Sequence, residues 1–167
     1  AETILDVIQA MAKSFGFDGV CGGQCLDMSG NIKKEDSSLE NLIKMHQLKT
    51  GALLEVCVEL PLILSNVSDV QFTLLKSFAR HLGLLYQVVD DILDVVSTSE
   101  DLGKTIGKDE DQDKLTFVSL LGLEKAIDFA KMEADKACKN LAKIDNIDTS
   151  LLRDLTLFVL RRVEVYA

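Results

Sequence analysis

Apolar residues recur at helical spacing along almost the whole chain, and this pattern predicts an all-helical protein. Val, Ile and Leu return every three or four positions rather than at alternate ones. The chain contains a single Pro and ten Gly, which leaves few breakers inside the apolar runs. We therefore expect one all-helical unit over residues 1–167, packed around a core of its own.

The predicted elements follow from this periodicity and from the polar residues that flank each run. Ser38 and Ser68 are the expected N-caps of the two long helices, and Pro61 should kink the first of them near its end. Loops are predicted over residues 30–38 and 97–113. The predicted helices are 2–15, 19–28, 39 to about 64, 69 to about 96, 117–121, 123–142, and a last one through Val163 that Asp148 or Thr149 caps.

The first predicted helix is apolar along one face from its first turn. The chain has no initial Met, and the run begins as if inside a folded element. We therefore expect the sequence to be part of a longer protein. The apolar positions of this face are Ile4, Leu5, Ile8, Met11, Ala12 and Phe15.

Composition limits the classes of function. An apolar fraction of 47% excludes disorder, and a net charge of −9 argues against nucleic acids and anionic membranes as partners. A phosphorylated substrate stays possible, because a metal ion can invert the local charge. Charges break every apolar stretch well short of a membrane span, and no signal peptide is visible.

The four cysteines do not have the spacing of a metal site. Cys21 and Cys25 could share a helix face, but Cys57 and Cys138 have no partner at ligand spacing, and the two histidines are isolated. We predict reduced, buried thiols in a cytoplasmic protein and no zinc site.

The segment Gln87-Val-Val-Asp90-Asp91-Ile-Leu-Asp94 carries the strongest chemical signal. Its three carboxylates are three and four residues apart on one predicted helix, where like charges destabilise the helix. No Lys or Arg occurs between Arg80 and Lys104. A solvated acidic face is the ordinary explanation of such a run, but apolar flanks and missing counter-ions favour an external cation. Oxygen ligands of this kind suit Mg²⁺.

A second motif, Asp101-Leu-Gly103-Lys104-Thr105-Ile-Gly107-Lys108, follows the acidic helix. Its lysine could reach a phosphate that the metal also touches, although an ordinary polar loop would look similar. A P-loop is excluded, because its first Gly would fall at Thr98 and a helix precedes it. An EF-hand is excluded by Lys114 and Leu120, which replace its turn Gly and closing Glu.

Two weaker motifs lie upstream. Lys49-Thr50-Gly51 places two donors and a glycine inside the first long helix, where the glycine allows close approach. Gly22-Gly23-Gln24-Cys25-Leu26-Asp27 opens a short helix with two glycines. Each is by itself better explained by helix packing.

Taken together and in order, the four motifs resemble the trans-isoprenyl diphosphate synthases, most closely the bacterial short-chain farnesyl diphosphate synthases (geranyltranstransferases), with geranylgeranyl diphosphate synthases near them. The likeness covers almost the whole chain. It includes Gly22-Gly23-Gln24-x-x-Asp27, Lys49-Thr50-Gly51-Ala52-Leu53, Gly83-Leu84-x-Tyr86-Gln87-x-x-Asp90-Asp91-Ile92-Leu93-Asp94, Leu102-Gly103-Lys104, Gly107-Lys108-Asp109 and Asp113-Lys114.

The resemblance implies the C-terminal helices of the isoprenoid synthase fold, arranged around a cavity and homodimeric in most members. It also implies an Mg²⁺-dependent prenyltransferase, with Mn²⁺ as a possible substitute. In that reaction an allylic diphosphate loses its diphosphate, and the double bond of isopentenyl diphosphate attacks the resulting cation.

The resemblance also implies roles for individual residues. Asp90, Asp91 and Asp94 would bind the metal, and Lys49, Lys104 and Lys114 would contact the allylic diphosphate. Thr50 and Gln87 would lie near the reacting carbons and the diphosphate, while Gln24 and Asp27 would line the cavity or support those contacts. The prenyl chain would lie between the acidic helix and the helix of Lys49.

The first aspartate-rich motif of this family is absent from the sequence, as are its basic residues for isopentenyl diphosphate. We therefore expect residues 1–167 alone to be inactive. The alternative to an active synthase is a non-catalytic regulatory subunit of a heteromeric enzyme. A different diphosphate enzyme, such as a terpene cyclase, accounts less well for the Lys49 and Lys104 motifs, and a helical binding module does not account for the acidic cluster.

Overall fold

The computed structural model describes residues 2–28, 38–65, 67–101 and 115–166. All regular elements of this part are helical, as predicted. They are α1 (Glu2–Phe15), α2 (Val20–Met28), α3 (Leu39–His46), a π-helical segment (Gln47–Gly51), α4 (Ala52–Ile63), α5 (Asp69–Asp101), α6 (Phe117–Leu121), α7 (Leu123–Leu141) and α8 (Ser150–Glu164).

The core is built around α5, which packs most extensively against α7 and also contacts α4, α8 and the π segment. Its inward side chains include Phe78, Leu85, Val88 and Ile92, all of which have no solvent exposure. α7 contributes small residues to this contact, among them Ala130, Ala134 and Ala137. Small side chains let the two helix backbones approach closely, which positions the acidic part of α5 firmly against the core.

α5 is longer than the sequence predicts. The predicted end near Val96 is wrong, because the helix continues to Asp101. Ser, Thr and Asp are only mildly unfavourable in a helix, and no Gly or Pro occurs between Val96 and Gly103 to stop it. The predicted cap is confirmed, since Ser68 Oγ accepts a hydrogen bond from the Gln71 amide at 3.3 Å.

The predicted helix from Leu39 is interrupted in a way that periodicity does not reveal. Ser38 caps its start as expected, accepting from the Asn41 amide. Residues 47–51 then widen into a π-helical turn before α4 continues to Ile63. Pro61 lies in the last turn of α4, where it has no amide hydrogen to donate to the carbonyl four residues earlier.

α1 ends as predicted, but its apolar face is largely exposed. Ile4 and Leu5 are each 64% exposed, and Phe15 is 45% exposed. Ser14 is the buried residue of this helix, and its hydroxyl donates to the Ala52 carbonyl at 2.6 Å. The described residues therefore hold α1 by its polar side and leave its apolar side in solvent.

The prediction of buried cysteines is wrong. Cys21, Cys25 and Cys57 are exposed, and Cys138 is half-buried. In α2 the inward positions belong to Gly22 and Gly23, which turns both neighbouring thiols outward. All four thiols are free, as expected.

The C-terminal helices agree closely with the prediction. α7 ends at Leu141, one residue before the predicted end, and α8 ends at Glu164. Of the two proposed caps for α8, Asp148 provides the contact, because its Oδ1 accepts from the Ser150 amide at 2.9 Å. Thr149 makes no side-chain cap. None of the described helices could serve as a membrane span.

Candidate functional site

The three acidic residues of α5 do not share one environment. Asp90 and Asp94 are exposed, whereas Asp91 is only 7% exposed. Helical geometry explains the difference, because residues four apart stack on one face and the next residue points about 100° away. The expected trio is thus a pair of outward carboxylates and one inward carboxylate.

Asp91 faces the start of α6. Its Oδ2 accepts a buried hydrogen bond from the Phe117 amide at 2.8 Å. Phe117 is the first residue of α6, whose N-cap is Thr116. An acidic side chain at this place satisfies an amide that has no partner within its own helix.

Gln87 lies one turn before Asp91 on α5 and is held by His46 at the end of α3. The His46 Nδ1 and Gln87 Oε1 atoms are 2.9 Å apart. An amide oxygen can only accept, so Nδ1 carries the hydrogen of this bond. In the sequence His46 has no neighbouring ligand or partner. Its contact with Gln87 cannot be predicted from local spacing, because the two residues are 41 positions apart.

The His46 ring also stacks on Phe117, with ring centroids 5.5 Å apart and planes inclined by 21°. Phe117 in turn stacks on Phe129 of α7 at 5.4 Å. Phe117 has no solvent exposure and His46 has 5%. These aromatic contacts hold α6 against α3 and α7, next to the buried face of α5 that carries Asp91.

The π segment carries the second group of candidate residues. Lys49 and Thr50 lie in it, and both are partly buried. Two glycines bring neighbouring helices against this segment. A β-carbon at Gly23 of α2 would lie 2.5 Å from the Lys49 Cα, and one at Gly83 of α5 would lie 3.1 Å from the Gly51 Cα. Gly23 and Gly83 are therefore explained by close contact of their helices with the backbone of this segment.

Lys49 is paired with Asp27 of α2. The Lys49 Nζ and Asp27 Oδ2 atoms are 2.5 Å apart, and the two side chains are 31% and 22% exposed. The two residues belong to different sequence motifs that the fold brings together. Gln24 of the same motif as Asp27 is exposed. Lys104 and Lys114 lie outside the described residues, as do the loop glycines that flank Lys104.

The expected prenyl cavity between the acidic helix and the Lys49 helix does not occur at Gly51 and Gly83, where the two backbones touch. A separate cleft of about 310 Å³ opens between α1, α4 and α5. It is lined by charged residues that include Lys13, Glu59, Lys76 and Arg80, and by none of the candidate site residues. At Gly51 and Gly83 the two helix backbones lie so close together that no cavity fits between them.

The outward pair fits a hard divalent cation. Mg²⁺ usually takes one or two carboxylates together with water and substrate phosphates, and Asp90 and Asp94 offer two carboxylates one turn apart. Within the described part of the chain, no cluster of three or more His, Cys, Asp or Glu side chains is arranged to hold a metal.

Residues 2–152 match the sequence pattern of the polyprenyl synthetase family. The chain is 42% identical over 160 residues to geranylgeranyl pyrophosphate synthase 7, a chloroplastic protein of Arabidopsis thaliana, covering 95% of this chain and 46% of that protein. It thus spans about half the length of the curated relatives it matches.

Solved structures show the same relationship. An apo FPP/GFPP synthase from Zymomonas mobilis aligns with a TM-score of 0.77 at 32% identity, over 95% of this chain and 51% of that one. A geranyltransferase from Helicobacter pylori, complexed with magnesium and isoprenyl diphosphate, gives 0.73 at 30% identity, over 100% and 54%. The helices described above correspond to part of the isoprenoid synthase fold, and the chain belongs to the polyprenyl synthetase family.

Proposed function

We propose that the protein carrying this chain is a prenyltransferase that joins an allylic diphosphate to isopentenyl diphosphate. The observation that carries the proposal is the outward pair Asp90 and Asp94 on α5, in a chain of this family. Two exposed carboxylates one turn apart on a helix buried along its other side are suited to bind Mg²⁺ together with a diphosphate.

The residues of this chain have separate tasks in the proposed reaction. Asp90 and Asp94 hold Mg²⁺, for which Mn²⁺ can substitute, and the metal when bound neutralises charge on the departing diphosphate. Lys49, Lys104 and Lys114 contact the diphosphate oxygens. Thr50 and Gln87 lie near the reacting carbons, and Asp27 orients the Lys49 ammonium across a 2.5 Å ion pair. Gln24 lines the path to the site.

The apolar wall of the prenyl cavity is proposed to come partly from residues outside this chain. Support comes from the contact between Gly51 and Gly83, which leaves no space for a prenyl tail between those two backbones. We propose that this wall also limits how long the prenyl chain of the product can grow. A farnesyl or geranylgeranyl product is consistent with the names of the relatives.

A homodimer is proposed for the assembled protein. The exposed apolar face of α1 is a surface that association would cover. A relative from Arabidopsis thaliana, 39% identical over 160 residues, is named as the large subunit of a heterodimeric geranylgeranyl pyrophosphate synthase. A heteromer with a non-catalytic subunit is therefore the second candidate. The free thiols suit a reducing compartment, and we propose the cytoplasm.

The test is product analysis with the full-length protein. Radiolabelled isopentenyl diphosphate, an allylic diphosphate and Mg²⁺ should yield a longer prenyl diphosphate, detected by chromatography. Asp90→Asn should lower kcat by about 100-fold or more, because charge on the leaving group is then poorly neutralised. Asp154→Asn alters another exposed aspartate, on α8, and serves as the control. Absence of any condensation product, or full activity in Asp90→Asn, would refute the proposal.

A further inference from the structure

The inward carboxylate of α5 connects three elements that meet behind the acidic face. Asp91 accepts a hydrogen bond from the Phe117 amide. The Phe117 ring stacks on His46, and His46 forms a hydrogen bond with Gln87. Gln87 and Asp91 are four residues apart and share one face of α5. The contacts thus form a closed ring through α3, α5 and α6.

We propose that Asp91 is a positioning residue and not a metal ligand, and that this ring fixes the Gln87 amide for the substrate. The inference rests on the proposed function and divides the acidic motif between two tasks. Asp90 and Asp94 face solvent and take the metal. Asp91 faces the core and keeps α6 against α5.

The burial of Asp91 supports this division. With 7% exposure, its carboxylate has left most of its hydration, and an ionised group in that position needs hydrogen-bond donors from the protein. The Phe117 amide supplies one at 2.8 Å. A carboxylate engaged in this way is directed at α6 and is buried, whereas Asp90 and Asp94 are exposed.

The chemistry of the Gln87 amide supports the second half of the proposal. Its oxygen is engaged by His46, so the amide retains two N–H donors for other partners. A diphosphate has only acceptor oxygens and is matched by those donors. His46 is itself held by the stacked Phe117 ring, so the orientation of the amide depends on the start of α6.

The first experiment separates the carboxylates in the full-length protein. Mn²⁺ binding in the presence of methylenediphosphonate is measured by electron paramagnetic resonance, together with the thermal midpoint. Asp91→Asn keeps an acceptor oxygen for the Phe117 amide, and we expect its Mn²⁺ affinity to stay within about 3-fold of wild type, whereas Asp90→Asn should lose about 10-fold or more. Asp91→Leu should lower the midpoint by several degrees, and Asp91→Asn should restore most of it.

Two results have distinct meanings. If Asp91→Asn loses as much Mn²⁺ affinity as Asp90→Asn at an unchanged midpoint, Asp91 is a ligand and the inference is overturned. If Mn²⁺ affinity is unchanged in Asp90→Asn as well as in Asp91→Asn, the proposed function fails at its metal site. The thermal midpoints still test the contact to α6 in that case: a lower midpoint for Asp91→Leu than for Asp91→Asn supports the contact, and equal midpoints contradict it.

A second variant tests the ring at His46 without touching an acidic residue. His46→Phe keeps an aromatic ring against Phe117 but removes the donor to Gln87. We expect kcat to fall by about 10- to 100-fold with Mn²⁺ affinity retained, since a small misplacement of a substrate contact is costly. His46→Asn, which can again donate to Gln87, should recover part of the rate. An unchanged kcat in His46→Phe would overturn the role of the ring.

Discussion

Gly23 in α2 lies directly against the backbone of Lys49 in the π segment. A β-carbon at Gly23 would be 2.5 Å from the Lys49 Cα and closer still to its amide nitrogen, distances that real side chains do not reach. The neighbouring atoms belong to the backbone and cannot rotate away. The position of a proposed diphosphate contact is therefore tied to the absence of a side chain on another helix.

Gly23→Ala should destabilise the protein by about 1–3 kcal/mol, the usual cost of overpacking a close contact. Gly51→Ala is the matched control, because its β-carbon would meet its nearest neighbours at 3.7 Å and its φ is −57°. We expect that variant to be neutral or slightly more stable, since Ala favours a helix over Gly. Urea unfolding of the two variants tests the difference, and equal midpoints would contradict it.

Asp27→Asn should impair substrate binding more than stability. The Lys49 pair is partly exposed, so its loss should change the free energy of unfolding by less than about 1 kcal/mol. The flexible lysine then loses its orientation, and KM for the allylic diphosphate should rise by about 3- to 10-fold. Steady-state kinetics on the full-length protein measures this change.

The pair Lys76–Glu59 provides a close control for that experiment. Its atoms are 2.9 Å apart and its side chains are 30% and 21% exposed, nearly the values of the Lys49 pair. Glu59→Gln should change stability by a similar amount and leave KM unaltered. The same KM shift in both variants would show that Asp27 has no special relation to the substrate.

Glu133 should give the protein a pH-dependent contribution to stability. Burial raises the pKa of Glu133, but hydrogen bonds from His81 at 2.7 Å and Lys136 at 2.8 Å outweigh it, so the pKa lies below its ordinary value of 4.5. Because the folded pKa is the lower one, the unfolded state binds more protons, and stability is lost as the pH falls from about 4.5 through the folded value. Glu133→Gln should cost about 1–3 kcal/mol at pH 7 and much less in strong acid.

Asp135→Asn is the appropriate comparison for Glu133→Gln. Asp135 pairs with Lys139 on the same helix, but the two side chains are 57% and 70% exposed, and such pairs contribute little. The difference in urea midpoint between wild type and Glu133→Gln should be clear at pH 7 and smaller at pH 3.5. The midpoint of Asp135→Asn should stay close to that of wild type at both pH values. A constant gap between wild type and Glu133→Gln would rule out the proposed ionisation.

Local pattern was enough to predict most of the fold. The helices around Phe78 and Ala130 follow from apolar spacing, and the caps at Ser38 and Ser68 follow from the residue types that flank the helices. The π turn at residues 47–51 could not be predicted in this way. Gly23 and Gly83, which belong to other helices, pack against this turn, and local spacing cannot reveal such contacts.

The candidate site shows the same limit. Spacing alone places Asp90 and Asp94 together, and the family resemblance supplied their role. Spacing cannot tell which of three neighbouring acids turns inward, because that depends on where α6 packs. The pairs His46–Gln87 and Lys49–Asp27 join residues 41 and 22 positions apart, and they form only when the chain folds.

The uncovered hydrophobic ridge of α1 has a practical consequence for any experiment on residues 1–167 alone. Side chains such as Ile4, Ile8 and Phe15 would meet water directly, and molecules with such a ridge tend to self-associate. If such a sample showed no turnover, aggregation could not be distinguished from a lack of catalytic activity. Light scattering on the polypeptide of residues 1–167, with Ile4→Glu and Ile8→Lys as solubilising changes, should therefore precede every rate measurement on it.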